Sequence, residues 1–496
     1  MPATAPLATH TRSKAQQHVH ERRWWILGLL AISQLMVILD GTIVNIALPT
    51  AQHALHFSNS DRQWIVTAYS LAFGSLLLLG GRLSDYIGRK SALIVGLVGF
   101  AGASALGAAS VNFTMLVLAR TIQGVFGALL APAVLALLST TFTDQGERGK
   151  AFAIYGAVAG TGGAIGLLLG GFLTTYASWR WTLLVNLVFA AIGVAGALWL
   201  LVHDAGVDHD PLDWPGVLTG TGGLFGLVFG FSHVETTSWH DTYTLLSLGA
   251  GVVLLAGFFL IQRRTRFPLL PLRVVADRNR GGALAAMLIA GSGMFGVFLF
   301  LTYYLQTTLG YSAIRTGVAF LPMIGALIVT AQLSNIVLLP KIGPRPLIPL
   351  GMLVAAGAMI WMSQLTLAST YISGVLGPLI VTGLGMGLVF APSFSVGTLG
   401  VAEHDAGVAS AMVNTSQQIG GSIGTALLNT LAASAAVHFL ATHAPTAHAM
   451  AEATIHSYTT AFSDSALIFL AGALVTGALL RSGRAQFTPT SGALAH

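Results

Sequence analysis

The sequence predicts an all-α integral membrane protein. Three observations lead there: apolar residues make up 54% of the chain against 8% charged, apolar stretches near 20 residues recur from Trp24 to Ser482, and the second half repeats the first. Soluble globular chains of this size do not carry so few charges. As a helix, about 20 apolar residues cross roughly 30 Å of hydrocarbon. Runs such as 93–111 do not alternate in polarity, which excludes a β-barrel. Helices instead close their backbone hydrogen bonds internally, as lipid demands.

Fourteen spans follow in order. The first six are 24–48, 62–81, 91–110, 113–138, 150–175 and 180–202; two more, 214–232 and 242–262, precede a second set at 281–308, 315–338, 345–367, 371–397, 407–436 and 459–481. Span 1 opens at Trp24, after a polar segment with Arg12, Lys14, Arg22 and Arg23 that has neither the apolar core nor the cleavage site of a signal peptide. Residues 1–23 therefore read as a cytoplasmic tail. The organisation is then a six-helix bundle over 24–202, a linker with two inserted spans over 203–280, a second six-helix bundle over 281–481 and a cytoplasmic tail over 482–496.

With the N-terminus cytoplasmic, 19 of the 23 Lys and Arg lie on the cytoplasmic side, Arg120 lies within a span, and Arg62, Arg180 and Arg315 face outward. The positive-inside rule selects that orientation, with both termini inside a cytoplasmic (inner) membrane. Arg263, Arg264, Arg266, Arg273, Arg278 and Arg280, between spans 8 and 9, suit anionic headgroups of the lipid bilayer. A basic loop beside a span needs no nucleic-acid partner. Cysteine is absent, so disulfides and thiolate metal sites are excluded, and the scattered His residues around the loop between spans 13 and 14 make no regular metal set.

The repeat is read from small residues in register. Gly149-Lys150-Ala151-Phe152-Ala153 matches Gly407-Val408-Ala409-Ser410-Ala411, and Gly162 to Gly166 matches Gly420 to Gly424, both at an offset of 258. Ala131-Pro132 recurs as Ala391-Pro392, and Ile87-Gly88-Arg89-Lys90 has a weaker echo in Ile342-Gly343-Pro344-Arg345. Two related halves around a midplane chamber are how secondary transporters alternate access. No phosphate-binding Gly-Lys-Ser/Thr loop is present, so an ion gradient or the substrate's own gradient must supply the energy, with no cofactor.

Between spans 2 and 3 the chain reads Gly81-Arg82-Leu83-Ser84-Asp85-Tyr86-Ile87-Gly88-Arg89-Lys90. Gly88 supplies a turn, Asp85 can accept from helix-terminal amides or pair with an Arg, and Arg89 and Lys90 hold the loop inside. This segment resembles the loop motif of the major facilitator superfamily, matched at Gly81, Leu83, Asp85, Gly88, Arg89 and Lys90. Leu39-Asp40-Gly41-Thr42-Ile43-Val44-Asn45-Ile46-Ala47-Leu48-Pro49 resembles the first-span motif of the fourteen-span drug/proton antiporters within it. Arg120, Gln123 and Gly124 are similar to the superfamily's fourth-span motif, and Gly162, Gly166, Gly170 and Gly171 to the exporters' fifth-span glycine motif. Two positions depart from that last pattern: Leu167 replaces its usual Pro, and Ala153 stands where it has Gly. The resemblance implies the major facilitator fold and proton-coupled drug export.

Asp40 and Arg120 are the candidate coupling residues. Asp40 lies roughly 24 Å along its helix from Trp24, and Arg120 roughly 10 Å in from the opposite end of span 4, so the two share a depth. A charged side chain at a helix centre costs roughly 2.5–3.5 kcal/mol on insertion scales, and loss of water favours the neutral carboxyl, which makes Asp40 a candidate proton carrier. Cationic substrates would compete for the same carboxylate. Alternatively, Arg120 ties span 4 to carbonyls of span 1. By the repeat Arg120 corresponds to Ile380, so coupling is expected in the first half alone. Gln34, Asn45, Met294, Tyr303, Gln306, Gln332, Asn335, Asn414, Gln417 and Gln418 are candidates for the substrate chamber, because amides facing lipid would go unpaired and Met and aromatic walls adapt to varied ligands.

The sequence thus points to a proton-driven antiporter for small amphipathic, cationic drugs or antibiotic-like metabolites. A symporter or facilitator for a small metabolite shares the architecture. An intramembrane enzyme lacks its nucleophile–base pair, and a receptor has no use for duplicated halves. Oligomeric state is left open, with a monomer plausible.

Overall fold

The computed structural model describes residues 14–57, 59–202, 211–234, 238–402, 405–444 and 446–482. The acidic linker segment 203–210, Glu403, both chain ends and the side chain of Asn45 lie outside the described residues. All fourteen expected segments are helical. The first half contains α1 (Lys14–Leu55), α2 (Asn59–Ile87), α3 (Arg89–Ala108), α4 (Phe113–Thr141), α5 (Gln145–Tyr176) and α6 (Trp181–Leu200). Then come α7 (Trp214–Val234), α8 (Thr242–Gln262) and the short α9 (Leu272–Ala276). The second half contains α10 (Arg278–Tyr303), α11 (Ala313–Leu333), α12 (Leu339–Ile342), α13 (Pro344–Met362), α14 (Leu376–Gly397), α15 (Ala406–Thr442) and α16 (Ala447–Leu479). Thirteen helices are long and apolar enough to cross a membrane among the described residues; the remaining expected span, 150–175, lies within the 32-residue helix α5.

The helices sort into two bundles. α1 packs on α4, α5 and α6, and α2 on α4; in the second half α10 packs on α14, α15 and α16, and α13 on α14 and α16. The bundles meet through α5 against α11 and α14, and through α15 against α2 and α4. α7 and α8 pair with each other, and α7 leans on both α2 and α15, straddling that seam.

The hairpin is fastened at one end by a carboxylate that the sequence left without a role. Asp213 accepts from the Gly216 N–H at 3.0 Å, capping α7, and from Gln262 Nε2 at 2.7 Å, and Gln262 Oε1 accepts from the Leu270 N–H at 3.0 Å. Leu269 and Leu270 then pack with Leu78, Val217, Val408 and Ala411, beneath the seam.

Where the structure departs from hydropathy, it does so at helix ends. α1 begins at Lys14, so the predicted tail boundary at residue 23 is not a break in the helix, and α16 begins twelve residues before the span expected at 459. Hydropathy marks the hydrocarbon, not the last hydrogen bond of the helix. Three wide π-turns, Tyr304–Thr308, Ser334–Leu338 and Tyr371–Val375, extend or open helices of the second half.

The duplication is visible in backbone geometry. Gly88 and Gly343, matched by the repeat, take φ of 86° and 78° and start α3 and α13, a conformation that a side chain resists. Pro132 and Pro392 lie inside α4 and α14.

Candidate functional site

Five helices of the first bundle converge on Asp40. Its Oδ2 accepts from Arg120 Nη1 at 2.6 Å, and its Oδ1 accepts from Gln123 Nε2 at 2.8 Å and Asn186 Nδ2 at 2.7 Å. Arg120 Nη1 also donates to Gln123 Oε1 at 2.7 Å, and Ser104 Oγ accepts from Gln123 Nε2 at 2.6 Å and from Asn186 Nδ2 at 3.2 Å. α2 contributes the Ile65 carbonyl, 3.4 Å from Arg120 Nε, and the Tyr69 ring, whose centroid is 4.3 Å from the guanidinium carbon. Asp40 is 0% exposed and Arg120 1%.

Such a pair forms because isolation is worse than pairing. One charge without the other would be uncompensated in a low-dielectric interior, a loss of about 3–5 kcal/mol when one partner of a buried pair is removed. Each hydrogen bond to the carboxylate comes from an N–H donor, so a proton on either oxygen would displace a donor. A proton on Asp40 would therefore move Arg120, Gln123 or Asn186. The sequence alternative, Arg120 tied to carbonyls of span 1, is replaced: its carbonyl partner is Ile65 on α2.

α1 turns Asp40 away from the other bundle. A Cβ on Gly162 or Gly170 of α5 would meet Ile38 or Ile43 within 3 Å, one on Gly166 would lie 3.2 Å from the Leu39 carbonyl, and a Cβ on Gly163 would reach both Thr42 and Phe298 of the second bundle. Asp40 sits two residues from both Ile38 and Thr42, about 200° around the helix. The hydrogen-bond partners of Asp40 all belong to the first bundle. The close glycine packing of α5 on α1 fixes which face of α1 looks towards the second bundle.

The loop motif builds a second polar site, at the junction of the halves. Both oxygens of Asp85 accept from the Gly407 N–H, at 3.0 and 3.1 Å, and Arg89 Nη2 lies 3.6 Å from Oδ1. A Cβ on Gly81 would fall 2.6 Å from the Gly407 carbonyl oxygen, so the motif's first glycine lets α15 approach. Leu83 packs on Leu129 and Ala133, Lys90 Nζ donates to the Leu201 carbonyl, and Gly124 lies against the Tyr69 backbone. The buried Arg148 bridges the halves too, donating to the Ser139 carbonyl at 2.9 Å and Thr398 Oγ1 at 3.0 Å.

The chamber candidates scatter. Gln418 reaches towards Gly74 of the opposite bundle, and Gln306, Gln332 and Gln417 are half-buried. Gln34 is buried, Met294 belongs to the main apolar core, Asn335 Nδ2 donates to the Ala391 carbonyl at 3.1 Å, and Asn414 Nδ2 donates to Ser410 of its own helix at 3.0 Å. Tyr303 is exposed and packs with Phe300 and Tyr458. Gly171 is buried on α5. The structure thus gathers Asp40, Arg120 and Gln123 into one site and does not gather the amides. Sequence reading passed over Asn186, Ser104, Tyr69 and Arg148. Asn186 alone left a signal, as the single amide in the otherwise apolar stretch Trp181–Leu200.

A model of the Major Facilitator Superfamily matches residues 30–425. The chain belongs to the major facilitator superfamily. Among curated relatives of this superfamily protein, the puromycin resistance protein pur8 of Streptomyces alboniger is 45% identical, covering 97% of this chain and 98% of that one. The cephamycin export protein CmcT of Amycolatopsis lactamdurans is 35% identical, covering 91% and 92%. The crystal structure of the human organic anion transporter MFSD10 shares the fold at a TM-score of 0.59 and 15% identity, covering 94% of this chain and 100% of that one. This is a multi-pass membrane transporter for small molecules, and its relatives include antibiotic resistance and export proteins.

Proposed function

We propose that this protein is a proton-coupled antiporter of the inner membrane that exports amphipathic, cationic drugs or antibiotic-like metabolites by alternating access. The Asp40–Arg120 pair carries the reading: a carboxylate at 0% exposure, held by three N–H donors in one half only, is an expensive feature for a protein that needs no titratable group. The relatives' names, puromycin resistance and cephamycin export, support an antibiotic-like cargo. The distribution of Lys and Arg supports cytoplasmic termini, with the Asp85–Gly407 junction facing the cytoplasm.

In this scheme the proton and the cargo occupy opposite faces of α1. Protonation of Asp40 opens its bond to Arg120, the guanidinium stays with the Tyr69 ring, Gln123 Oε1 and the Ile65 carbonyl, and the altered packing of α1 on α5 reaches the chamber. Purified protein in liposomes should move a cationic dye against its gradient only when protons flow the opposite way. Dye travelling with protons would refute antiport. Asp40→Asn should lower coupled transport at least a hundredfold, and the protein should still fold because Arg120 keeps Gln123 Oε1, the Ile65 carbonyl and the Tyr69 ring; a wild-type pH profile in that variant would remove Asp40 from the mechanism.

A further inference from the structure

Where α13 begins and α16 ends, on the side of the loop motif, the second bundle carries a surface hollow of about 420 Å³. That is within the roughly 300–1,000 Å³ of small-molecule sites. Ile342, Arg345, Pro346, Pro349, Gly477 and Ser482 line it. Small residues leave the space: even a Cβ on Gly477 would lie 3.8 Å from Pro349 Cγ. One turn deeper along the same helices, Leu350 and Leu353 on α13 and Leu474 on α16 are exposed apolar side chains, the surface that acyl chains cover.

The rim is basic. Arg345 Nε donates to the Gly477 carbonyl at 3.2 Å and Nη1 to Ser482 Oγ, while its Nη2 makes no hydrogen bond among the described residues. Arg278 donates from Nε to the Leu479 carbonyl at 3.1 Å and from Nη2 to the Ala478 carbonyl at 2.7 Å. Lys341 and Arg481, exposed chain neighbours of Ile342 and Ser482, make no side-chain hydrogen bond or ion pair among the described residues. No acid lines the hollow, and Asp277, the acid nearest in sequence to Arg278, caps α10 through the N–H groups of Asn279 and Arg280.

Helix capping accounts for part of this. Lys90, the counterpart of Arg345 at an offset of 255, donates to the Leu201 carbonyl just beyond α6, so a cation tying the start of one helix to the end of another is inherited through the repeat. Capping leaves Arg345 Nη2, Lys341 and Arg481 without a role, and it does not call for a hollow beside them.

We propose that this hollow holds the headgroup of an anionic phospholipid from the leaflet on that side, its phosphate on Arg345, with Lys341 and Arg481 at the rim and its chains along Leu350, Leu353 and Leu474. A guanidinium's planar N–H groups match phosphate oxygens, and basic pockets between spanning helices hold such headgroups. A free phosphate would satisfy the charge and leave the apolar wall unused. The site belongs to the second bundle alone and does not depend on how transport is energised.

The test titrates the full-length protein in dodecyl maltoside with dioleoylphosphatidylglycerol and counts bound lipid by native mass spectrometry. One phosphatidylglycerol should bind at least tenfold more tightly than dioleoylphosphatidylcholine, and inorganic phosphate at equal concentration should not displace it. Gly477→Leu, which fills the hollow without removing a charge, should weaken that binding at least tenfold. Lys341→Gln, outside the caps, should weaken it at least threefold with unchanged melting in lipid-free detergent, and it keeps the test open if Gly477→Leu folds poorly. Arg264→Gln, in the exposed basic stretch after α8, should change it less than twofold. Equal binding of the two lipids, displacement by phosphate, or a loss in Arg264→Gln as large as in Lys341→Gln overturns the site. So does a wild type that binds no lipid, the result if the chain after Ser482 is the occupant.

Discussion

Helix α15 starts against Gly81 and Asp85 of the first half, while α5, its counterpart 258 residues earlier, brings Gly149 against the second half, where a Cβ on that glycine would lie 2.9 Å from the Asn335 carbonyl oxygen. The two junctions share their glycines, inherited through the repeat, and differ in the acid that meets them. Gly407 donates its N–H to the Asp85 carboxylate, whereas Asn335 is a neutral amide that donates to Ala391 and leaves its Oδ1 without a partner among the described residues. At the offset that relates Gly88 to Gly343, Asp85 corresponds to Pro340. Duplication preserved the approach of the backbones, and divergence placed the acid on one side. The membrane interior shows the same division, since the charged site belongs wholly to the first half and Ile380 stands where the repeat would put a second Arg120.

The largest expected effect lies in that interior. Arg120→Ala should destabilise the protein by about 3–5 kcal/mol, because it leaves a buried carboxylate with amide partners alone, and Asp40→Asn in the same chain should restore most of the loss. Thermal unfolding in detergent reads it; equal melting of Arg120→Ala and wild type would mean that the first half is no more charge-dependent than the second. Next comes Asp85→Asn. Hydrogen bonds to charged groups contribute about 1.5–3 kcal/mol against about 0.5–1.5 kcal/mol for neutral ones, so the substitution should shift the balance towards a cytoplasm-open form by roughly tenfold. Spin-label distances across the α2–α15 junction would show it, and an unchanged distribution would erase the contrast between junctions. Smallest is Asn335→Leu, which removes one neutral bond together with an unpartnered acceptor and should move the same distances less than threefold. An effect as large as that of Asp85→Asn would make the two junctions equals.

Much of this was legible in the sequence because lipid leaves a chain few choices. All fourteen apolar segments are helices, since each had to satisfy its own backbone, and Asp40 and Arg120 meet because depth along a straight helix is simple arithmetic. Asp85 finds both partners expected of it, a helix-terminal N–H and an Arg. What stayed hidden needed knowledge of faces. Ser104 is one small residue in a Gly/Ala-rich helix, and only the rotation of α3 turns it to Gln123. The orientation of Asp40 likewise depends on α5 pressing its glycines onto Ile38, Leu39 and Ile43, a contact between segments more than 100 residues apart. The π-turns left no pattern, because one additional residue in a helical turn scarcely alters hydropathy.

The hairpin of α7 and α8 makes the transporter unequal to anything dissolved in the bilayer. One flank, where α2 meets α15, is covered by α7, backed by α8, and by Leu269 and Leu270, while among the described residues no added helix covers the flank where α5 meets α11. A molecule arriving sideways from lipid would have the hairpin to pass on one side and only helix-on-helix packing on the other.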